Sequence, residues 1–341
     1  MQSREVVRVG IVGMGFIGEI HAAGYALNPR ARLEGVVDVR LDKARGLAEK
    51  YGTRAYSSLD ELLAAEKLDA VDICLPSTYH REAVIKAANA GLHVVVEKPF
   101  ALDLRDIDEM IDAAGANGVR LMVAHVCRFM PEYLVARSFV ENGQLGRPLF
   151  FSAWRNSTTP GWSWQNWLLD RQLSGGTVMD LQIHDIDLSN WLLGVPSSFQ
   201  MREVMLPGRP GPSHVISSLV YNGGALANLE ASHLMPAAYP FSIGYRLLFE
   251  RGAVEYHSPQ GGEKKVMVYA PEGVTALAGS QLPRITGDDP YAEELAHFVD
   301  CLLSGTEFRV SLREARLAVA SVLRLRESLA QGGRVSELKV C

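Results

Sequence analysis

Short apolar runs alternate with stretches whose apolar residues recur every three or four positions along the first third of the chain. Val6 to Val12 is a β-branched run that ends at glycines, and Phe16 to Leu27 has the spacing of a buried helix. Leu33 to Val37 is a second run ending at Asp38, and Lys43 to Tyr51 reads as a helix closed by Gly52. Ser58 with Glu61 forms a capping box ahead of Leu62 and Leu63, and Ala70 to Leu75 is a buried strand that stops at Pro76. His80 to Ala90 reads as helix, His93 to Val96 as strand, Leu104 to Ala116 as helix and Arg120 to Val126 as the last strand of this series. This alternation predicts an α/β fold, an open parallel sheet of six strands covered by helices on both faces.

The texture changes after Arg128. Met130 to Glu141 reads as one more helix, ending near Gly143 and Gly146, and Leu149 to Arg155 opens a series of strands joined by polar, glycine-rich turns. Val215 to Tyr221 and Ala225 to Leu234 form a hairpin around Asn222-Gly223-Gly224, because Asn-Gly supplies the positive φ angles of a tight turn. Arg246 to Phe249, Ala253 to His257 and Lys265 to Tyr269 are further strands, separated at Gly252 and at Gly261-Gly262. Pro207 to Pro212 and Pro271 to Pro290 read as loops, and Tyr291 to Leu303 and Arg313 to Ala330 as closing helices. The second half is predicted to hold a mainly antiparallel sheet, which divides the chain into domains at 1–126 and 127–341.

With 341 residues the chain has length for two domains. Apolar residues at 48% and charged residues at 21% match soluble globular averages, which excludes a disordered or fibrous chain. Thirty-four Lys and Arg against 39 Asp and Glu give a net charge of −5, so no global positive field exists to hold nucleic acid. Cys74, Cys127, Cys301 and Cys341 form no C-x-x-C pair, which signals neither a metal cluster nor a disulfide framework and fits a reducing cytoplasm. The N-terminal stretch carries Arg4, Glu5 and Arg8 and reaches glycines before any signal-like apolar core. No apolar run approaches the ~18 residues of a membrane span. Cytoplasmic localisation, with neither export by that route nor membrane insertion, is the expectation.

Gly13-Met14-Gly15-Phe16-Ile17-Gly18 fits G-x-G-x-x-G between the first strand and the first helix. The pattern provides a tight turn, a backbone close enough to touch a pyrophosphate, and a helix N-terminus facing it. Asp38 follows about 20 to 25 residues on, at the end of the second strand, as a dinucleotide site requires. Its carboxylate would accept hydrogen bonds from the adenosine ribose and repel an added phosphate, which favours NAD over NADP. Arg40 is either a solvated loop charge or a group that stacks on adenine or meets a 2′-phosphate, so NADP stays open.

Glu97-Lys98-Pro99 follows a strand at the sheet's carboxyl edge, where ligands bind in open α/β sheets. Lys98 is placed there for proton transfer or for polarising a substrate oxygen; the alternative is a surface ion pair with Glu97. Ser174-Gly175-Gly176-Thr177 leads into Val178 to Leu193, a largely apolar helix on which Asp180, His184 and Asp187 fall at i, i+4 and i+7. Asp180 could instead be a capping partner of Thr177, and His184 a core histidine; a metal reading lacks further Cys or His at helpful spacing.

Together the glycine motif, Cys74-Leu75-Pro76-Ser77-Thr78-Tyr79-His80, Glu97-Lys98-Pro99 and Asp180-Leu181-Gln182-Ile183-His184 resemble the glucose–fructose oxidoreductase / inositol dehydrogenase / MocA family. Arg128-Phe129-x-Pro131-x-Tyr133 and the segment from Pro290-Tyr291 to Val335 extend the resemblance over nearly the whole chain. The family implies an N-terminal Rossmann domain and a C-terminal α/β domain whose open sheet commonly forms a homodimer or homotetramer. It implies oxidation or reduction of a secondary alcohol or hemiacetal carbon of a sugar, inositol or related polyol with NAD or NADP. By this resemblance Lys98, Asp180 and His184 are catalytic, and Pro76, Ser77, His80 and Glu97 line the cofactor beside Gly13, Gly15, Phe16, Ile17, Gly18, Asp38 and Arg40.

His184 would then be the base, Lys98 the group that stabilises charge on the reacting oxygen, and Asp180 the orienting acid. One departure is Ser77-Thr78, where many relatives carry asparagine after the proline, which changes the group offered to ribose there. His125, Arg128, Asn156, Trp162, Trp164 and Trp167 are candidates for the substrate wall, against a packing role for the tryptophans. Two competing readings are an enzyme that retains NAD and oxidises transiently to assist elimination or glycosidic cleavage, and a non-catalytic cofactor sensor. The joint presence of Lys98, Asp180 and His184 weighs against the sensor, as does the lack of a basic patch.

Overall fold

In the computed structural model residues 5–208, 211–258 and 263–337 are described; Gly261-Gly262, part of the Pro207 to Pro212 loop and Cys341 lie outside them. The chain divides into two units, Met1–Phe129 with Ile285–Arg316, and Met130–Arg284 with Leu317–Cys341. The segment from Ile285 thus returns to the first unit, which a single division at 126/127 does not include.

The first unit runs β1 (Val7–Val12), α1 (Phe16–Ala26), β2 (Ala31–Val37), α2 (Leu41–Tyr51), β3 (Arg54–Tyr56), α3 (Leu59–Ala65), β4 (Ala70–Ile73), α4 (His80–Asn89), β5 (His93–Glu97), α5 (Leu104–Ala116) and β6 (Leu121–Ala124). The strands pair in parallel in the order β3-β2-β1-β4-β5-β6. β4 and β6 are buried along their whole length, which is why they read as unbroken apolar runs with no alternation. The runs seen in the sequence account for five of these six strands. The other, β3, has one exposed and two partly exposed residues and no apolar pattern to read. The last strand is also shorter than the sequence suggests, since a 3₁₀ turn occupies Val126–Phe129.

Strand order reverses between β1 and β4, so the loops after them diverge and leave a crevice at their carboxyl ends. The turn after β1 is fixed by sterics. Gly13 has φ +96°, and a Cβ there would lie 2.6 Å from Cys74 O; a Cβ on Gly18 would lie 1.9 Å from Gly13 O. A Cβ on Gly15 meets nothing within 4 Å.

The second unit contains α6 (Pro131–Asn142), β7 (Pro148–Thr158), α7 (Arg171–Ser174), α8 (Gly176–Asp180), α9 (Ile183–Leu193), β8 (Pro196–Met205), β9 (Ser213–Tyr221), β10 (Leu226–Met235), β11 (Ser242–Phe249), β12 (Gly252–His257), β13 (Lys265–Ala270) and β14 (Gly273–Ala278). α10 (Pro290–Ser304) closes the first unit, α11 (Leu312–Ala330) spans the division, and β15 (Ser336–Glu337) ends the second. The nine strands order as β14-β13-β12-β11-β7-β10-β9-β8-β15, antiparallel except for the β10–β7 pair.

Three expectations need correction. β14 lies inside the stretch expected to be loop; its residues are largely exposed, so backbone pairing with β13 forms it without a hydrophobic signature. The β9–β10 hairpin forms, but its turn takes a positive φ only at Gly224 (+83°), where Gly224 N donates to Tyr221 O at 2.8 Å. That is the longer hairpin turn with one left-handed glycine, not a two-residue Asn-Gly turn. The helix expected over Val178 to Leu193 is two helices, because Thr177 O accepts from both Leu181 N and Gln182 N and the ladder restarts from Gln182 O.

Gly18→Ala is expected to lower stability by about 1–3 kcal/mol through overpacking. Gly15→Ala, with space around it, should leave the urea midpoint close to the parent's, and equilibrium urea unfolding of both variants checks the contrast.

Candidate active site

In the first unit, the turn Gly13–Gly18 is tied to the end of β2: Asp38 Oδ2 accepts from Met14 N at 3.2 Å. Asp38 Oδ1 accepts from Arg40 N at 2.8 Å, and the Arg40 guanidinium folds back on both carboxylate oxygens at 3.1 and 3.2 Å. Arg40 is therefore a partner of Asp38, half exposed, and a ribose hydroxyl taking the outward lone pairs would displace it. Phe16 is exposed beside Gly15 at the start of α1, with Ile17 partly covered. After β4, Pro76 and a 3₁₀ turn over Ser77–Tyr79 lead into α4, with Ser77 buried. His80 is turned inward: Nε2 lies 2.8 Å from Leu75 O and Nδ1 3.0 Å from Pro99 O, and burial lowers its pKa. It clamps the turn after β4 to the turn after β5 and offers no nitrogen to a ligand. Lys98 stands partly exposed at the end of β5, and Lys98 N donates to Glu97 Oε2 at 3.0 Å.

Behind Glu97 lies a cluster that the sequence reading missed. His21 of α1, fully buried, contacts Asp72 Oδ2 at 2.9 Å through Nδ1 and Glu97 Oε1 at 3.2 Å through Nε2. Cys74 Sγ sits 3.4 Å from His21 Nδ1 and donates to Asp72 Oδ1 at 3.3 Å. Burial alone would favour neutral imidazole, but the neighbouring Cys74 and Asp72 and the hydrogen bonds to them outweigh it and hold His21 protonated well above the usual histidine range. Burial also pushes the Cys74 thiol up, so the proton stays on sulfur and Asp72 supplies the negative charge. The three ligand atoms lie within 4.8 Å of one another, close enough to chelate, and a carboxylate oxygen stands against each ring nitrogen of His21, at 2.9 and 3.2 Å. The available signal was Asp72 itself, a carboxylate in the middle of an apolar strand, which requires a buried partner.

Two proposed wall residues are internal. Arg128 is fully buried, with Nη1 3.2 Å from Glu314 Oε1, while Arg309 Nη1 donates to Arg128 O at 3.1 Å. It fastens the turn after β6 to the start of α11. His125, one residue past β6, is buried as well.

In the second unit Asp180 ends α8 and His184 lies in the first turn of α9, both partly exposed. The capping alternative for Asp180 does not hold: Gly175 is the cap of α8, and Thr177 Oγ1 accepts from Ser213 N at 3.1 Å. His233 of β10, also missed, faces this helix with Nε2 3.6 Å from Asp180 Oδ2 and Nδ1 3.4 Å from Thr177 Oγ1. Asp187 is buried on α9, as is Asp185, whose carboxylate takes Arg155 at 2.8 and 3.1 Å. Asn156 does not join Asp180. It follows Arg155 in β7, so its side chain leaves the opposite face of the sheet, where Nδ2 donates to Glu230 Oε1 at 2.8 Å. Trp164 and Trp167 are partly exposed in an irregular turn in which Gln165 and Asn166 have positive φ, and Trp162 is exposed just before it.

Residues 7–125 match the family described as an oxidoreductase family with an NAD-binding Rossmann fold, and residues 133–255 match the GFO/IDH/MocA C-terminal domain. The chain belongs to the Gfo/Idh/MocA oxidoreductase family. A myo-inositol 2-dehydrogenase of Thermotoga maritima is 29% identical over 321 residues, 92% of this chain and 93% of that protein. A UDP-N-acetylglucosamine 3-dehydrogenase of Acidithiobacillus ferrooxidans is 31% identical over 230 residues, 67% of this chain and 68% of that protein. A solved structure of the latter enzyme superposes with a TM-score of 0.79 at 26% identity, covering 94% of this chain and 97% of that one.

The first unit fits the cofactor that defines the family. The α1 N-terminus and the open space at Gly15 suit a pyrophosphate, and Asp38 stands at the end of the neighbouring strand. Asp38→Ser removes the charge that repels a 2′-phosphate and leaves Arg40 without its carboxylate. The ratio of NADP to NAD affinity, read by titrating protein fluorescence with each cofactor, is expected to rise by about tenfold or more, which corresponds to ~1.4 kcal/mol.

Proposed function

We propose that this protein is an NAD-dependent dehydrogenase that moves a hydride between nicotinamide and a secondary alcohol or hemiacetal carbon of a sugar, inositol or related polyol. The observation that carries the reading is Lys98, partly exposed at the carboxyl end of β5, an interior strand of an NAD-binding sheet. The relatives named as dehydrogenases of an inositol and of a UDP-sugar support the substrate class.

Bound nicotinamide supplies the hydride acceptor. The hydroxyl proton must leave as the hydride does, and His184 Nε2 or Nδ1 takes it as general base. The Lys98 ammonium is suited to donate a hydrogen bond to an alcohol oxygen and to stabilise the negative charge developing on it. Asp180, beside His233, accepts from a substrate hydroxyl or from the His184 ring and favours the protonated imidazole. The exposed face at Phe16 and the partly exposed Trp164 offer apolar surface to cofactor and sugar.

Incubation with NAD or NADP and a panel of myo-inositol, glucose, galactose and xylose, followed at the reduced-nicotinamide absorbance band, tests the reaction. Lys98→Ala and His184→Ala are each expected to cut kcat by about 10²-fold or more while NAD affinity stays near the parent's. Turnover within a few-fold of the parent in either variant would sink that residue's role. NAD binding with no reduced cofactor formed on any sugar would favour the retained-cofactor enzyme or the sensor.

The open face of the nine-stranded sheet supports a homodimer or homotetramer built through it. Ile216, Val220, Leu226 and Leu248 stand exposed there, alternating with buried neighbours along β9, β10 and β11. A row of apolar side chains this regular is costly in water. Ile216→Asp should lower the mass measured by light scattering on a sizing column; an unchanged mass would place the interface elsewhere. Among the described residues no helix is long and apolar enough to cross a membrane. A reducing cytoplasm accords with the unbridged thiols of Cys74, Cys127 and Cys301 and with a dinucleotide cofactor.

A further inference from the structure

Three ionisable groups meet in the core of the first unit, behind the segment that carries Lys98. His21 and Asp72 are wholly buried and Glu97 is 6% exposed. Burying such groups is costly, and apolar residues of similar volume would pack there without that cost. The arrangement does something packing cannot. Glu97 uses its two oxygens separately: Oε1 meets His21 Nε2 at 3.2 Å, and Oε2 accepts from Lys98 N at 3.0 Å. His21 is itself held from the other side, through Nδ1, by Asp72 at 2.9 Å. The result is a relay of fixed contacts from β4, through α1, to the backbone of Lys98.

We propose that His21 is a positioning residue for the reaction: it fixes the rotamer and charge of Glu97 and, through Glu97, the position and acidity of Lys98. This rests on the dehydrogenase reading for its catalytic consequence, and on the geometry of the first unit alone for its effect on Lys98. Held protonated, His21 offsets the Glu97 carboxylate. Without it, Glu97 stands as an uncompensated anion one residue from the lysine and favours the ammonium form. The other groups beside the ring are Cys74 after β4 and Tyr291 of α10, while Tyr25 on the same helix interacts with Asp72 and with Glu294 of α10. Burial pushes both tyrosines up, so they stay neutral over the working range.

The test has two independent readouts. The first is the titration of Lys98, followed by NMR after reductive ¹³C-methylation and assigned by its absence in Lys98→Arg. His21→Asn should raise the Lys98 pKa by about half a unit or more, and Glu97→Gln should lower it. A merely structural role predicts no such opposite displacements. The second is kinetic. On whichever sugar of the panel the parent oxidises, each variant should lose about tenfold in kcat, and His21→Asn, which is buried away from the cofactor, should do so with NAD affinity within about threefold. The double variant should be no worse than the weaker single one, since the two residues act as a unit.

If both variants leave the Lys98 titration and kcat at parental values, the proposal is overturned. Should His21→Asn fail to fold, Glu97→Gln decides in the same way, because Gln keeps an oxygen for Lys98 N and loses only the charge. If the parent oxidises no sugar, the dehydrogenase reading falls while the Lys98 titration still decides whether His21 governs that amine.

Discussion

The distance at which α1 can approach the sheet governs most of the first unit. The turn after β1 leaves no room for a side chain at Gly13 or Gly18: a Cβ on Gly18 would sit 1.9 Å from Gly13 O. Because the helix is drawn in this far, its N-terminus faces the crevice between β1 and β4, and its buried face carries His21, Ala22 and Tyr25 into the core. The same face continues to Gly24, where a Cβ would lie 2.9 Å from Leu295 Cδ1 of α10. One steric constraint thus sets the anion-binding end of the helix, the reach of His21 and the seat of α10.

Among the described residues each unit holds a buried ion pair, His21 with Asp72 in the first and Arg155 with Asp185 in the second. Burial raises the Asp185 carboxyl pKa, and Arg155 opposes the shift through its charge and two hydrogen bonds. Such pairs add little net stability, but losing one partner costs about 3–5 kcal/mol, so they select one arrangement sharply. Each stands directly behind a residue proposed for the chemistry. Glu97, held by His21, adjoins Lys98, and Asp185, held by Arg155, adjoins His184. With Asp185 locked inward, the preceding position on α9 faces a different direction and leaves His184 partly exposed.

Local chemistry explains what was readable. The G-x-G-x-x-G turn, the Gly52 terminus of α2 and the Ser58 cap of α3 are short-range devices, and each sits where its residues put it. Buried parallel strands announce themselves as apolar runs. β3 and β14 pair through their backbones and are too short or too exposed to leave an apolar signature. Asp180 was legible as a candidate, but its neighbour His233 lies more than fifty positions on and reaches it only because β10 crosses behind α8.

The sequence by itself determined the two kinds of sheet, the dinucleotide turn with Asp38, and the family, because these depend on periodicity and on residues close together in the chain. The tertiary structure decided which polar groups face inward. It turned His80 and Arg128 into internal clamps, sent Asn156 to the far side of its sheet, and joined His21, Asp72 and Glu97 into one buried relay. Those outcomes depend on which strands become neighbours and on what a buried charge finds within 3 to 4 Å, quantities that no local pattern encodes.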